Sequence, residues 1–458
     1  MLKESCDILV VGGGPSGGVC AVTAKMNNPD KKIIVMREHE KQLVPCSIPY
    51  VFGNTLGSVE NGIAPCGISA DMGIESRVGK IQNIDIKNKT AHYDDIELSY
   101  DKLVFATGSI PFVHESLQHS LSLKGVFRVA KNVEMIKELK EYSRDKQNIV
   151  IVGSGFIGIE IAMEFADIGK NVTVVGGSKF ILNRAFDADI AQEAQKIVEN
   201  AGVRYIGSDR VVEIVDKNAD KTVNGVKLKS GKIVDADVVI LATGYQPNTE
   251  LAVKAGVSLG HYGGIWVDDY MRTENPDIFA VGDCTARRGF ISKSPSKVML
   301  ASTSSAEARV AGSSLYGIKY LKGMSGTISI FSTKIGDTVF ASAGVTADKA
   351  QMKTNTTMVI GSFSGINRHP AKMPGARTQY VKLIVSKYSG QIVGGQVIGG
   401  DEAGEIVNLI GNIIESGKSV YSVMSMQVAT QPMLTGAPTN YPLIMAAIMA
   451  IKEMEKRD

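Results

Sequence analysis

The sequence predicts an α/β fold in which one strand, glycine-turn, helix and strand unit occurs twice, ahead of a C-terminal α+β domain. Two glycine fingerprints carry the first half of that prediction, Gly12-Gly13-Gly14-Pro15-Ser16-Gly17 and Gly153-Ser154-Gly155-Phe156-Ile157-Gly158. A change of texture near Gly323 carries the second. Beyond it, Thr327 to Lys334, Val339 to Val345, Met358 to Ser362 and Tyr380 to Ser386 look like strands of an antiparallel sheet, with Asp401 to Ser416 as a helix.

In the first unit Ile8 to Val11 is the strand, Gly17 to Met26 a small-residue helix, and Lys32 to Met36 the next strand. That context gives the glycines a mechanism. The first makes the turn, the second lets the backbone approach a pyrophosphate, and the third packs helix on strand, while the helix N-terminus offers free amides to the phosphates. Glu38, 26 residues after Gly12, is the nearest acid for a ribose hydroxyl, against a usual spacing of about 20. The second unit repeats the plan with strand Gln147 to Val152, helix Gly158 to Ile168 and strand Asn171 to Val175. Both units therefore read as Rossmann-like dinucleotide-binding domains. The second ends in Gly176-Gly177-Ser178-Lys179, where an NADH site would normally put a carboxylate. A hydroxyl and a cation at Ser178 and Lys179 instead suit the 2′-phosphate of NADPH.

Leu103-Val104-Phe105-Ala106-Thr107-Gly108 and Val239-Ile240-Leu241-Ala242-Thr243-Gly244 each place a strand before an Ala-Thr-Gly turn, as crossings between domains would. Ile278-Phe279-Ala280-Val281-Gly282-Asp283 ends a strand in Gly-Asp, which suits a hydrogen bond from a ribityl hydroxyl to Asp283.

The 458 residues leave room for two or three domains and a large core. With 44% hydrophobic and 21% charged residues and a formal charge of +3, the chain reads as a globular protein with small-molecule partners, not nucleic acid or membrane. No targeting segment is evident, so a cytoplasmic location is expected. The five cysteines, at 6, 20, 46, 66 and 284, are odd in number and widely spaced, which argues against a disulfide framework or a metal site.

In that order and spacing, the fingerprint pair, both Ala-Thr-Gly turns and the Val281-Gly282-Asp283 strand resemble the flavoprotein pyridine nucleotide-disulfide oxidoreductases over nearly the whole chain. The resemblance implies a glutathione reductase-like plan: a discontinuous FAD-binding domain at 1–122 and 246–322, an NAD(P)H-binding domain at 123–245, and a dimerisation domain at 323–458 that forms a homodimer. It implies FAD contacts from Gly12, Gly14, Pro15, Ser16, Gly17, Glu38, Ala106, Thr107, Gly108, Asp283 and Ala301. Gly153, Gly155, Ile157, Gly158, Ser178, Lys179 and Gly244 would hold the nicotinamide cofactor. Phe156 would be an aromatic gate over the flavin, and Glu160 would meet the nicotinamide end. Glu160 lies one turn into an otherwise apolar helix, where a carboxylate needs a partner.

Cys46, in Pro45-Cys46-Ser47-Ile48-Pro49-Tyr50, decides the branch of the family. Glutathione reductase-like members carry two cysteines five apart, and here no cysteine stands at 41 or 51. The segment is similar to that of single-cysteine members: coenzyme A-disulfide reductases, NAD(P)H oxidases and peroxidases, and polysulfide reductases. There the cysteine cycles between thiolate and a mixed disulfide, persulfide or sulfenic acid. Cys66 reads as a loop cysteine and Cys284 as packing.

Three departures narrow the substrate. Pro15 stands where water-forming NADH oxidases and NADH peroxidases carry a histidine. Thr23-Ala24-Lys25-Met26-Asn27 keeps only Lys25 of the basic residues that hold coenzyme A, and no rhodanese-like extension is expected. Ala429-Thr430-Gln431-Pro432-Met433-Leu434-Thr435 resembles the His-Pro segment that reaches the partner's active site in disulfide reductases, with Gln431 in the histidine's place. Glutamine cannot shuttle a proton, and Tyr441 is the nearest titratable candidate. The expected protein is a homodimeric FAD-dependent NAD(P)H oxidoreductase that reduces a disulfide or polysulfide, such as coenzyme A disulfide, through Cys46. Two alternatives stay open: an NAD(P)H oxidase that makes peroxide or water, and a flavin electron-transfer or redox-sensing subunit.

Overall fold

Five parallel strands, in the order Ile278–Ala280, Lys102–Phe105, Ile8–Val11, Ile33–Arg37 and Ile74–Val78, form the first sheet of a computed structural model that describes residues 2–64, 70–216, 220–319, 326–354 and 356–456. Five more, Val126–Arg128, Val238–Leu241, Asn148–Val152, Asn171–Val175 and Arg204–Ile206, form the second, also parallel. In each sheet the fingerprint strand is central, between the strand that enters Ala-Thr-Gly and the strand that follows the fingerprint helix. Ile8–Val11 and Val238–Leu241 are buried at every position, as a parallel strand covered on both faces must be.

The helix Pro15–Asn27 packs beside Ala301–Ser314 near the first sheet, and Phe156–Asp167 covers the second. Each helix begins two residues before its expected start, because Pro15 and Phe156 already fall in the first turn. Beyond the two Ala-Thr-Gly turns, Ser109–Pro111 and Tyr245–Pro247 pair antiparallel in one two-stranded ribbon.

The C-terminal part is a five-stranded antiparallel sheet in the order Phe331–Ile335, Thr338–Gly344, Ile392–Gly399, Thr378–Ser386 and Met358–Ile366, with helices Ala403–Glu415 and Pro442–Glu455 against it. The strand expected from Thr327 begins only at Phe331. The Phe290 amide donates to Thr327 O at 2.8 Å, and Ser329 has φ 65°, so the chain is still crossing from the first half of the molecule. Ile392–Gly399 is a strand that was not among those expected. Its glycines are needed there, because a Cβ at Gly394 would lie 2.0 Å from Val345 O. Among the described residues, no helix is long and apolar enough to cross a membrane.

Candidate active site

The two fingerprints have the same steric signature. Gly12 has φ +119°, and a Cβ there would fall 2.1 Å from Ala106 O; at Gly17 it would fall 1.9 Å from Gly12 O. Gly153 has φ +122°, with Ala242 O 2.3 Å away, and Gly158 would meet Gly153 O at 2.1 Å. The outer glycines are thus fixed by the fold itself, against the alanines of the two Ala-Thr-Gly turns. The middle ones are not: a Cβ on Gly14 or Gly155 meets no atom within 4 Å. Open backbone before a helix N-terminus is what a pyrophosphate requires. Beside the first fingerprint Arg37 Nε is buried without a partner, a polar atom that a bound dinucleotide can satisfy. The residues present fit one dinucleotide at each fingerprint.

Around the first fingerprint, Thr107 Oγ1 donates to Asn248 O at 2.6 Å, and Gly108 follows with φ +69°. Asp283 Oδ2 accepts from Lys131 Nζ at 2.9 Å and from Ser109 Oγ at 3.0 Å. Buried Arg287 reaches Asp283 Oδ1 at 3.3 Å and holds Glu307 with two further bonds of 2.8 and 2.9 Å. Burial works against the charge on Asp283, but Lys131 and Arg287 hold its carboxyl below the usual range. Ala301 opens its helix, and Ser16 is buried at the first turn of the fingerprint helix. Glu38, by contrast, is exposed and paired with Lys80 at 3.0 Å. Sequence reasoning missed Lys131; its signal is a cation just beyond the strand Val126–Arg128, one element before the second fingerprint.

Cys46 lies on a short 3₁₀ helix, Pro45–Val51. Ser47 Oγ closes its start on Val44 O at 2.8 Å. The segment after it is docked on the second fingerprint helix: Phe52 stacks on Phe165 at 5.4 Å, Asn54 donates to Asp167 at 2.8 Å, and Thr55 hydrogen-bonds Glu164 through its hydroxyl. Of the described cysteines, Cys6, Cys20 and Cys284 are buried and Cys46 is exposed. Cys66 lies outside the described residues. Burial pushes the thiols of Cys6 and Cys20 up to about 12, which makes them inert.

Among the charged groups that act on Cys46, Glu160 acts most strongly. Enclosure by the protein and then Glu160 raise the Cys46 pKa, while Lys131 lowers it. Glu160 has the partners its helix position demanded: Thr333 Oγ1 donates to it at 2.8 Å, and the Tyr50 hydroxyl hydrogen-bonds it as well. Burial still dominates and lifts its pKa to about 7. Phe156, one turn earlier, stacks on Phe331 at 5.3 Å and 14° and meets the edge of Phe186 at 6.1 Å. It is held in an aromatic stack with the C-terminal sheet.

At the second fingerprint, the Tyr205 side chain lies beside Gly176. Its hydroxyl donates to Ser178 O at 2.7 Å and lies 3.4 Å from Ser154 Oγ. A Cβ on Gly176 would be 2.4 Å from Ser154 Oγ and 2.7 Å from the Tyr205 hydroxyl. Lys179 is exposed, with its Nζ 5.1 Å from the Phe180 ring centre. Gly244 has φ +106°. Gln431 and Tyr441 belong to the C-terminal part: Gln431 is exposed on a turn, and burial raises the pKa of Tyr441. The groups that act on Cys46 within its own chain are Glu160, Lys131 and Asp283.

Two dinucleotide cradles and, among the described residues, one accessible thiol define an oxidoreductase. Residues 6–308 match the family described as "Pyridine nucleotide-disulphide oxidoreductase", and 330–441 match its dimerisation domain; the chain belongs to this family. It is 30% identical over 462 residues to an NADH oxidase of Methanocaldococcus jannaschii, covering 98% of this chain and 99% of that one. It is 28% identical over 461 residues to an NAD(P)H sulfur oxidoreductase (CoA-dependent) of Pyrococcus furiosus, covering 97% and 99%. The structure of an NAD-dependent persulfide reductase from A. fulgidus superposes with a TM-score of 0.87 at 27% identity, over 98% of this chain and 83% of that one.

Proposed function

We propose that the protein is a homodimeric FAD-dependent NAD(P)H oxidoreductase that reduces the sulfur-sulfur bond of a small disulfide or polysulfide through Cys46. One observation carries this reading: the exposed Cys46 thiol feels charged groups of both fingerprint units, Glu160 of the second and Asp283 of the first, with Lys131, which is bonded to Asp283 at 2.9 Å, acting against them. In this reading 1–122 and 246–322 bind FAD, 123–245 bind NAD(P)H, and 323–458 dimerise. Gly12, Gly14, Pro15, Ser16, Gly17, Ala106, Thr107, Gly108, Asp283 and Ala301 hold FAD, joined by Arg37 and Lys131. Gly153, Gly155, Ile157, Gly158, Ser178, Lys179 and Gly244 hold the nicotinamide cofactor. The absence of a carboxylate from Gly176-Gly177-Ser178-Lys179, where the Tyr205 hydroxyl lies beside Gly176, supports NADPH over NADH. Phe156 can act as a gate only by leaving its stack on Phe331.

When bound, the flavin supplies a two-electron link between the nicotinamide and the thiol. Cys46 supplies the nucleophile; enclosure and Glu160 hold its pKa above the usual thiol value, and Lys131 is the charge that opposes them and favours the thiolate. Tyr50, whose phenol is held protonated by burial and Glu160, keeps the Glu160 side chain oriented. Glu160, titrating near neutrality, can hold or release a proton beside that thiol.

Anaerobic reduction with NADPH, followed by coenzyme A disulfide, polysulfide, glutathione disulfide or oxygen, tests the reading through the rate of flavin reoxidation. The expected result is that Cys46→Ser stops reoxidation by every sulfur acceptor; a serine variant that keeps pace with wild type sinks the cysteine mechanism. The Methanocaldococcus jannaschii relative favours a second reading, an NAD(P)H oxidase. Fast oxygen turnover unaffected by the substitution supports it.

A further inference from the structure

Gln431 leaves the 431–435 turn without a proton carrier, and an imidazole is set directly against that turn. The Gln431 side chain is tied to the turn itself through its Oε1, which accepts from the Met433 amide at 2.7 Å, while the Gln431 backbone amide donates to Thr435 Oγ1 at 3.0 Å. His369 lies across the same residues. Its backbone amide donates to Pro432 O at 3.2 Å, and its Nδ1 is 2.9 Å from Thr435 O. A carbonyl only accepts, so Nδ1 carries the hydrogen of that bond and Nε2 is left for proton exchange.

The loop that bears His369 is tied down. The Asn367 amide donates to Arg377 O at 3.0 Å, the Arg377 amide returns a bond to Asn367 Oδ1 at 2.7 Å, and buried Asn367 Nδ2 donates to Glu402 at 3.0 Å. The imidazole is therefore held in register with Gln431, as a group that must meet a reacting atom should be. Exposure of the turn shows where that register points. Met433 and Leu434 are 52% and 71% exposed, within the 330–441 segment that matches the dimerisation domain. Apolar side chains that stand out of such a domain are ones a second copy covers.

We infer that His369 of one subunit is the proton donor at the partner subunit's Cys46, in place of the histidine that Gln431 replaces. The inference rests on the reading of Cys46 given above. The thiolate attacks one sulfur of R–S–S–R′; a Cys46–S bond forms, the S–S bond breaks, and R′S⁻ departs with the electron pair. The His369 imidazolium gives its Nε2 proton to R′S⁻, which leaves as R′SH, and solvent reprotonates the neutral imidazole. Two electrons from NAD(P)H later release the second thiol.

A leaving-group comparison reads this directly. In His369→Gln, kcat for an alkyl disulfide, coenzyme A or glutathione disulfide, is expected to fall at least ~10-fold, since its thiolate needs a proton. Turnover of 5,5′-dithiobis(2-nitrobenzoate), whose thiolate leaves unprotonated, is expected to stay within about two-fold, which also shows that the variant is folded. Equal loss on both substrates, or on neither, overturns the proposal. A mixed dimer of one Cys46→Ser and one His369→Gln subunit then tests the crossing between subunits. It holds one site with both groups intact if His369 acts across the interface, and about half of the wild-type alkyl disulfide activity is expected. No recovery over the His369→Gln dimer overturns it. Sulfur-acceptor activity in the Cys46→Ser homodimer would instead sink the underlying reading of Cys46, which keeps the two failures apart.

Discussion

At the scale of single residues, the chemistry of the site turns on how three charges act on one sulfur. Glu160 raises the Cys46 pKa and Lys131 lowers it, so removing either moves the thiolate population in opposite directions. Glu160→Gln is expected to speed alkylation of Cys46 by iodoacetamide at pH 7.5 several-fold, and Lys131→Met to slow it; equal rates in both variants contradict this electrostatic account. Glu160 also links stability to pH. Its folded pKa, raised from 4.5 to about 7, favours the protonated carboxyl in the native state. That contribution is fully present below 4.5 and is lost as pH rises through 7. Glu160→Gln is therefore expected to gain on wild type by on the order of 2–3 kcal/mol between pH 4.5 and pH 8. Thermal unfolding across that range checks it, and a gap between the two proteins that does not widen with pH contradicts it.

At the scale of elements, each fingerprint divides its glycines into those the fold needs and one the ligand needs. Gly17→Ala puts a Cβ 1.9 Å from Gly12 O, between helix and turn, where backbone must move. A loss of more than about 3 kcal/mol is expected, read by urea denaturation. Gly14→Val meets open space at its Cβ, so the fold should keep its stability while the protein loses FAD during purification, read by flavin absorbance. Loss of stability at both positions would remove the distinction. The fingerprints were legible in the sequence because each motif carries its own local geometry in adjacent residues. The strand Ile392–Gly399 was not, because its glycines answer to Val345 and Ile410, which no local pattern reveals. His369 and Lys131 were missed for the same reason. Their partners, Thr435 and Asp283, lie 66 and 152 residues away.

At the scale of the whole molecule, the half that carries the second fingerprint is fastened to the C-terminal sheet. Thr333 reaches Glu160, Phe331 stacks on Phe156, and Ile335 and Phe340 join the core beneath the second sheet. One further link is polar and buried. Lys382, 6% exposed on the C-terminal sheet, bonds Asp187 at 2.9 Å and Asp189 at 3.0 Å, where Asp187, 1% exposed, precedes the helix Ala188–Asn200. Gln396 donates to the same Asp187 carboxylate at 2.6 Å. An ion pair out of water gains little over an apolar pair, but losing one partner strands the other charge, at a cost of about 3–5 kcal/mol. Lys382→Met is thus expected to destabilise the protein by that amount. Asp187→Asn added to it should recover most of the loss, because the amide can still accept from Gln396 without an unpaired charge. A double-mutant cycle by denaturant unfolding measures the coupling. If the two losses simply add, Lys382 is held by Asp189 at the surface, and the buried link between the two parts is not what fastens them.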